Sequence, residues 1–430
     1  MSSTLAYTEL NPAELSTELS ALEHAYEQAC NTNLRLNLTR GKPSDAQLDL
    51  SDALDGILDE DYRAADGTDV RNYGGLRGLA ETRELGAELL EAPASNILAG
   101  GNSSLELMHS VTRHVIANHW QNKPATALCP VPGYDRHFTL CENLGLPMQA
   151  VTLTADGPDM DELETLVASE ANLGCIWCVP RFSNPDGCVY SPAVVKRMAG
   201  LPNKAAHPHF MIFWDNAYAV HALTDDAPPL ASLFAAAEQL GTLDHLFMFA
   251  STSKITFAGS GVAFLGTSES NLSAYEQQIG TATIGPDKVN QLRTSRFLSG
   301  RLASHMASHA AILRPKFATV QQHLREQLGE LGIAQWTQPE GGYFVSLNTM
   351  PGLAKEVVAL AAAAGVTLTA AGATFPYGFD ELDRNIRIAP SYPELEEVEA
   401  AMDVVTLAVK LASARKLMGE VHDKPPATHE

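Results

Sequence analysis

Basic residues are scarce in this 430-residue chain: 29 Lys and Arg stand against 51 Asp and Glu, a formal charge of −22. A surface that acidic repels nucleic-acid phosphates and anionic lipid headgroups, so neither is expected as a partner. Any anionic ligand must be held by local donors in a protected pocket. Cysteine is thin as well, with Cys30, Cys129, Cys141, Cys175, Cys178 and Cys188 making up the whole set. Cys175 and Cys178 have redox-pair spacing but sit in an apolar run of strand character. On a strand, residues three apart point to opposite faces, so buried structural thiols are expected. No apolar run approaches the ~18–20 residues that cross a bilayer. Met1-Ser2-Ser3-Thr4-Leu5 has neither the basic start nor the apolar core of a secretion signal. The cytoplasm is the expected location. His207-Pro208-His209 has no cysteine or carboxylate at ligand spacing and reads as a loop, so no metal site is expected. Repeats and low-complexity segments are missing too, apart from a short charged tail at residues 423–430 that is expected to fray.

What is present is ample material for a core, 45 % of the residues being hydrophobic. The length exceeds what one core usually serves, so at least two domains are expected. Residues 10–31 read as a helix, with Leu15, Leu19, Leu22 and Tyr26 at helical spacing. From about residue 75, helical stretches at 76–90, 104–119, 159–168 and 192–198 alternate with short apolar runs at 126–129, 148–151, 175–179, 210–214, 246–249 and 261–265. That alternation predicts an α/β domain around a largely parallel sheet, with ligands at the strand ends. Residues 287–331 read as long and helical. The remainder reads as a smaller α+β domain, with strands near 342–347 and 385–388 and helices near 353–364 and 394–409.

The densest chemical signal is Ser251-Thr252-Ser253-Lys254, directly after the apolar run Leu246-Phe247-Met248-Phe249. A lysine where a buried strand ends is poorly solvated, which disfavours its ammonium form and frees its amine. Lowering its pKa from about 10.4 to about 7–8 costs roughly 4 kcal/mol. The chemistry that would use such an amine is a Schiff base with an aldehyde cofactor; the plainer reading is a lysine at a loop mouth. Four further pieces also fall at strand ends or helix starts. Asp215-Asn216-Ala217-Tyr218 ends a strand with a carboxylate that needs a donor or cation facing it, or simply caps the next turn. Asn184-Pro185-Asp186-Gly187 is turn chemistry with an amide at a strand end. Gly100-Gly101-Asn102-Ser103 opens a helix and either holds a phosphate or caps that helix. Arg387, within Asn385-Ile386-Arg387-Ile388, presents a fork of donors suited to a carboxylate.

In this order and at these intervals, Asn184-Pro185-x-Gly187, Asp215-x-x-Tyr218, Ser251-x-Ser253-Lys254 and Arg387 make the chain resemble the class I aminotransferases of the aspartate aminotransferase superfamily. The likeness runs from about residue 37 to about 409. Arg40-Gly41-Lys42-Pro43, Arg71-Asn72-Tyr73-Gly74-Gly75 and Pro132-Gly133-Tyr134-Asp135-Arg136 further resemble a bacterial branch of aspartate aminotransferases. The resemblance implies that family's fold. It divides the chain into an N-terminal arm with part of the small domain (1–50), a large α/β domain that binds pyridoxal 5′-phosphate (51–300), and a small α+β domain with its connecting helix (301–430).

It also implies that Lys254 carries the cofactor as an internal aldimine and moves the substrate proton. Asp215 would pair with the pyridinium nitrogen, Tyr218 and Asn184 would bond the phenolate oxygen, and Tyr134 would stack on the ring. Gly101, Asn102, Ser103, Ser251 and Ser253 would surround the phosphate, with Tyr73 reaching in from the second subunit of a homodimer. Arg387, with the backbone of Gly41, would grip the substrate α-carboxylate.

The implied reaction is ping-pong transfer between amino acids and 2-oxo acids, with aspartate and 2-oxoglutarate the expected pair. The rivals are another amino donor, a lyase or decarboxylase using the same cofactor, and a non-catalytic regulator that binds it. A dicarboxylate needs a second cation, for which Arg40, Arg136, Arg181 and Arg296 are all available. One departure stands out: relatives carry a phosphate-binding arginine about eight residues after the lysine, where this chain reads Gly259-Ser260-Gly261-Val262. Backbone donors, or an arginine from elsewhere such as Arg40 or Arg136, would have to replace it.

Overall fold

The computed structural model describes residues 6–422; the first five residues and the 423–430 tail lie outside the described residues. The chain divides into two compact units. The larger comprises Asp45–Ile312 with Pro339–Gly342; the smaller gathers residues up to Ser44, Leu313–Gln338 and the chain from Tyr343 onward. The sequence pattern places the breaks near 50 and 300. The second division falls inside the helix Leu302–Leu328, where no change of composition marks it. A bridge between Ala222 and Gly341 holds the short return segment in the larger unit.

The larger unit is built on an eight-stranded sheet. Its spatial order is Ile97–Ala99, Ala263–Thr267, Leu246–Ser251, Met211–Asp215, Leu173–Cys178, Thr126–Val131, Met148–Thr154 and Gly157–Pro158. The five strands from Leu246–Ser251 to Met148–Thr154 pair in parallel, and the outer ones are antiparallel. Leu173–Cys178 and Met211–Asp215 are buried at every residue, as strands covered on both faces should be. Alternate residues feed two separate cores. Ile176, Ile212, Trp214 and Met248 join one cluster; Cys175, Trp177, Phe213 and Phe249 join the other. Cys175 and Cys178 fall in opposite clusters as buried free thiols, which removes them as a redox pair.

Side-chain caps start the helices that cover the sheet. Ser103 accepts from Glu106 N, Ser191 precedes Pro192 at the first helical position, and Asp287 accepts from Asn290 N. The long helical stretch expected at 287–331 is two helices, Lys288–Leu298 and Leu302–Leu328, interrupted at Gly300, whose φ is +66°.

The smaller unit has an antiparallel sheet, Ala334–Trp336, Val345–Thr349 and Asn385–Ile388, and a two-residue parallel pairing of Leu36–Asn37 with Val366–Thr367. The helix Pro12–Cys30, opened by a capping box of Asn11 and Glu14, packs on Leu395–His422. Among the described residues no helix is long and apolar enough to cross a membrane.

Gly86 shows how tightly the larger unit is filled. It lies in the helix Ala80–Leu90, and a Cβ there would come within 2.5 Å of the Phe264 ring and 2.8 Å of Ile97 Cγ2. Alanine gains about 1 kcal/mol over glycine in an open helix, whereas overpacking costs about 1–3 kcal/mol. The collision should win: Gly86→Ala lowers the urea-unfolding midpoint, and Gly86→Val lowers it further.

Candidate active site

Two neighbouring strands of the larger unit deliver the central pair. Leu246–Ser251 ends three residues before Lys254, and a tight turn follows in which Ile255 N and Thr256 N both donate to Thr252 O at 2.8 Å. Thr252 also ties back to the next strand, donating through its N to Val262 O at 2.9 Å and accepting from Val262 N on Oγ1 at 2.9 Å. Lys254 is half-buried, and its amine is desolvated. Nζ lies 4.9 Å from the centroid of the Tyr218 ring. That desolvation pushes the amine below the usual lysine range, and the Asp215 carboxylate offsets it only in part.

Asp215 ends the adjacent strand, opposite Phe249. His137 Nε2–H donates to its Oδ2 at 3.1 Å. Its Oδ1 is buried and has no hydrogen-bond partner among the described residues. His137 is fixed by stacking on Trp177 (centroids 4.5 Å apart, planes at 23°) and by the edge of Tyr134 at 5.0 Å. Trp177 in turn stacks on Phe213. Asn184 is buried in the turn after Leu173–Cys178, where Ser183 Oγ donates to Val179 O and Gly187 N donates to Ser183 O. A narrow cavity is lined by Asn184, Tyr134, His137, Trp177 and Tyr190.

A second cavity of about 400 Å³ lies beside the loop Gly100–Gly101–Asn102 and is also lined by Gly259, Ser260 and Arg293. Ser103 spends its hydroxyl on capping, whereas Asn102 donates to Gly259 O at 3.0 Å and Ser253 Oγ donates to Asn102 O at 3.1 Å. The glycine loop and the lysine loop are thus stitched together, and Gly101, Asn102 and Ser253 meet there. Ser251, at its strand end, pairs with Ala263.

Where the usual arginine is missing, in Gly259-Ser260-Gly261-Val262, Gly261 tolerates no side chain: a Cβ there would lie 2.8 Å from both the N and Oγ of Ser253. Arg293 is the cation on this cavity instead. Its Nε donates to Asn290 Oδ1 at 2.8 Å and its Nη2 to Ser260 Oγ at 2.9 Å, while Asn290 Nδ2 donates to the carbonyls of Ser260 and Gly261. Arg136, offered by the sequence for this place, is exposed, and Arg40, equally exposed, belongs to the smaller unit. Of the cations offered for a distal carboxylate, Arg181 donates to Ala219 O over the Phe182 ring, and Arg296 binds Asp61 and two carbonyls.

Tyr73 is 77 % exposed in the larger unit. The smaller unit holds Arg387 and Gly41 in a cluster of its own. Arg387 is buried, lies 4.9 Å above the Phe344 ring, and donates through Nη2 to Thr39 O and Thr369 Oγ1, each at 3.3 Å. Gly41 presses on the same ring, since a Cβ there would come within 2.5 Å of Phe344 Cζ.

The family model described as aspartate amino-transferase matches residues 10–421. The chain belongs to the aspartate aminotransferase family. This aminotransferase is 44 % identical over 404 residues to the aspartate aminotransferase of Corynebacterium glutamicum, covering 91 % of this chain and 93 % of that one. The crystal structure of an aspartate transaminase from C. glutamicum superposes with a TM-score of 0.92 at 42 % identity, covering 96 % of this chain and all of that one. At 20 % identity, LysN, an α-aminoadipate aminotransferase from Thermus thermophilus, shares the fold with a TM-score of 0.73, over 93 % of this chain and 98 % of that one.

Sequence reading of this aminotransferase missed His137, Trp177, His221 and Arg293. His137 is three residues after Tyr134 at a helix start, a spacing that brings the two together. Trp177 was legible only as core. Arg293 is 39 residues beyond Lys254 and carries no local signal.

The depressed Lys254 amine has a sign that stability can read. Between its folded-state pKa and about 10.4 the unfolded chain binds the extra proton, so stability rises with pH across that window. Cofactor-free Lys254→Met should therefore be more stable than cofactor-free wild type at pH 7 in urea titrations. The gap should narrow towards pH 10.

Proposed function

We propose that this aminotransferase uses pyridoxal 5′-phosphate and transfers the amine of aspartate to 2-oxoglutarate in two half-reactions. Asp215 Oδ1 carries the cofactor reading: it is a buried acceptor with no partner in a site ordered around its other oxygen. Such an oxygen is costly unless a donor meets it, and a protonated ring nitrogen is a donor of the right kind. When bound, the cofactor supplies an aldehyde carbon and an electron-withdrawing ring that accepts the electron pair left at the substrate α-carbon.

The chain's own residues do the rest. Lys254 would be the residue that holds the cofactor's aldehyde, and its amine, lowered by desolvation, would be the base for the α-proton once the substrate amine has taken its place on that aldehyde. Asp215 keeps the ring nitrogen protonated, with His137 ordering the carboxylate. Tyr218 and Asn184 serve the phenolate oxygen, and Tyr134 serves the ring face. Gly101, Asn102 and Ser253 cradle the phosphate, with Arg293 supplying the positive charge from its side of the cavity. Arg387 and the backbone of Gly41 receive the substrate α-carboxylate. The exposed Tyr73 fits a role towards the phosphate of a second copy, and so a homodimer. The choice of aspartate rests on the Corynebacterium relatives' names.

Mixed with aspartate alone, the loaded enzyme should release one equivalent of oxaloacetate and stop with pyridoxamine phosphate bound; continuous turnover would make it a lyase. Lys254→Ala should lose the lysine-linked visible band and fall in rate by more than the ~10²–10⁴ of a lone general base. Near-normal turnover in that variant excludes the assignment. Arg293→Gln should raise the Kd for pyridoxal 5′-phosphate about 10- to 100-fold, the scale of a lost charge-assisted contact. It should leave unphosphorylated pyridoxal unchanged, as read by equilibrium titration.

A further inference from the structure

The turn that carries Lys254 is too short to satisfy its own carbonyls. Thr252 O takes both donors of the turn, and the carbonyls of Lys254 and Ile255 follow where no helix continues. Histidines meet both. His221 Nε2–H donates to Lys254 O at 3.1 Å, and His305 Nε2–H donates to Ile255 O at 2.6 Å. His309 stands behind, its Nε2 3.2 Å from His305 Nε2 and its Nδ1 3.0 Å from the side-chain amide of Gln47. All four residues belong to the larger unit.

Carbonyl oxygens only accept, so His221 and His305 must each carry a proton on Nε2. His309 Nε2 faces the His305 Nε2–H at 3.2 Å and can back that ring only as an acceptor, which puts the His309 proton on Nδ1, towards the Gln47 side-chain amide. Burial pushes His221 down to about 3 and His309 down to about 4, and it lowers His305 as well. His221 and His309 are therefore neutral at physiological pH, and burial disfavours the charged form of His305 as well. His221 does more than hold a carbonyl. Its ring stands edge-on to Tyr218 at 5.6 Å and 84°, and Tyr218 is the ring over which the Lys254 amine lies. Its own ends are fixed, with N donating to Tyr218 O at 3.1 Å and O accepting from Gly342 N at 2.9 Å.

We propose that His221 and His305, backed by His309 and Gln47, form a clamp that positions Lys254 by gripping the two consecutive carbonyls at and after it. The clamp rests on Lys254 being the reactive amine. It fixes the lysine's main chain while leaving the side chain to swing between cofactor attachment and proton transfer. These are positioning residues: none is placed on substrate or cofactor. Orientation is where they act, and a displacement on the order of 1 Å at a reacting group can cost about 10²-fold.

The test uses the full-length enzyme loaded with pyridoxal 5′-phosphate. His221→Leu removes the donor and should lower kcat about 10- to 100-fold, with the KM for aspartate and the cofactor Kd within about 3-fold of wild type. The pH at which the bound cofactor's visible band changes should also shift. His221→Gln can present an amide N–H towards the same carbonyl and should recover most of the lost kcat. A folded His221→Leu with wild-type kcat and an unmoved band overturns the clamp, as does a His221→Gln no better than His221→Leu. If His221→Leu fails to fold, imidazole ¹⁵N shifts of the wild-type enzyme at pH 7 decide. Neutral His221 and His305 rings protonated on Nε2 support the clamp, and an imidazolium or an Nδ1–H tautomer at His221 overturns it. Lys254→Ala separates the two levels. Retained turnover there removes the lysine assignment itself, whereas lost turnover beside an unaffected His221→Leu removes only the clamp.

Discussion

Placing an amine and a carboxylate at the ends of adjacent parallel strands, away from bulk water, imposes the demand around which the larger unit is arranged. Neither charge is tolerated there without compensation. Desolvation pushes the Lys254 amine, which lies over the Tyr218 ring, below the usual lysine range. Asp215 meets half of its demand through His137, whose ring is immobilised by Trp177 and, through Trp177, by Phe213 in the middle of the sheet. The remaining half, the buried Oδ1, is left open. An unmet acceptor on a buried carboxylate is costly, and that cost is what supports the proposed function.

The loops that carry the chemistry are rigidified from outside the sheet. Gln291 donates to the carbonyls of Ala99 and Gly100, Asn290 to those of Ser260 and Gly261, and Arg293 to Ser260 Oγ. One helix face, Lys288–Leu298, thus holds both the glycine loop and the loop after the lysine. Two polar side chains satisfy four loop carbonyls that neither loop could satisfy internally. Precision at the site therefore depends on a helix that contributes nothing to the sheet.

Much of this architecture was legible in the residues. The strands Thr126–Val131, Met211–Asp215 and Leu246–Ser251 are continuous apolar runs bounded by polar turns, and that pattern has one reading. Lys254, Asp215 and Asn184 were legible for the same reason: each is a polar residue where such a run stops. Residues that reach the site across the fold were not. Arg293 and His305 lie in helices whose sequence reports only their own periodicity, and His137 gains meaning from Trp177, forty residues away. The boundary within Leu302–Leu328 was hidden because a helix passing between units keeps one pattern throughout. Gly300 broke the expected long helix through a left-handed backbone, a local cue that helical spacing on both sides obscures.

The close approach of Gly261 to Ser253 has a consequence for anyone redesigning this enzyme. Placing an arginine at Gly261 is not a single-residue edit, because even a methyl group there would collide with the main chain of the lysine loop. The backbone of residues 259–262 would have to be rebuilt first, at the expense of the contacts Asn290 makes with it.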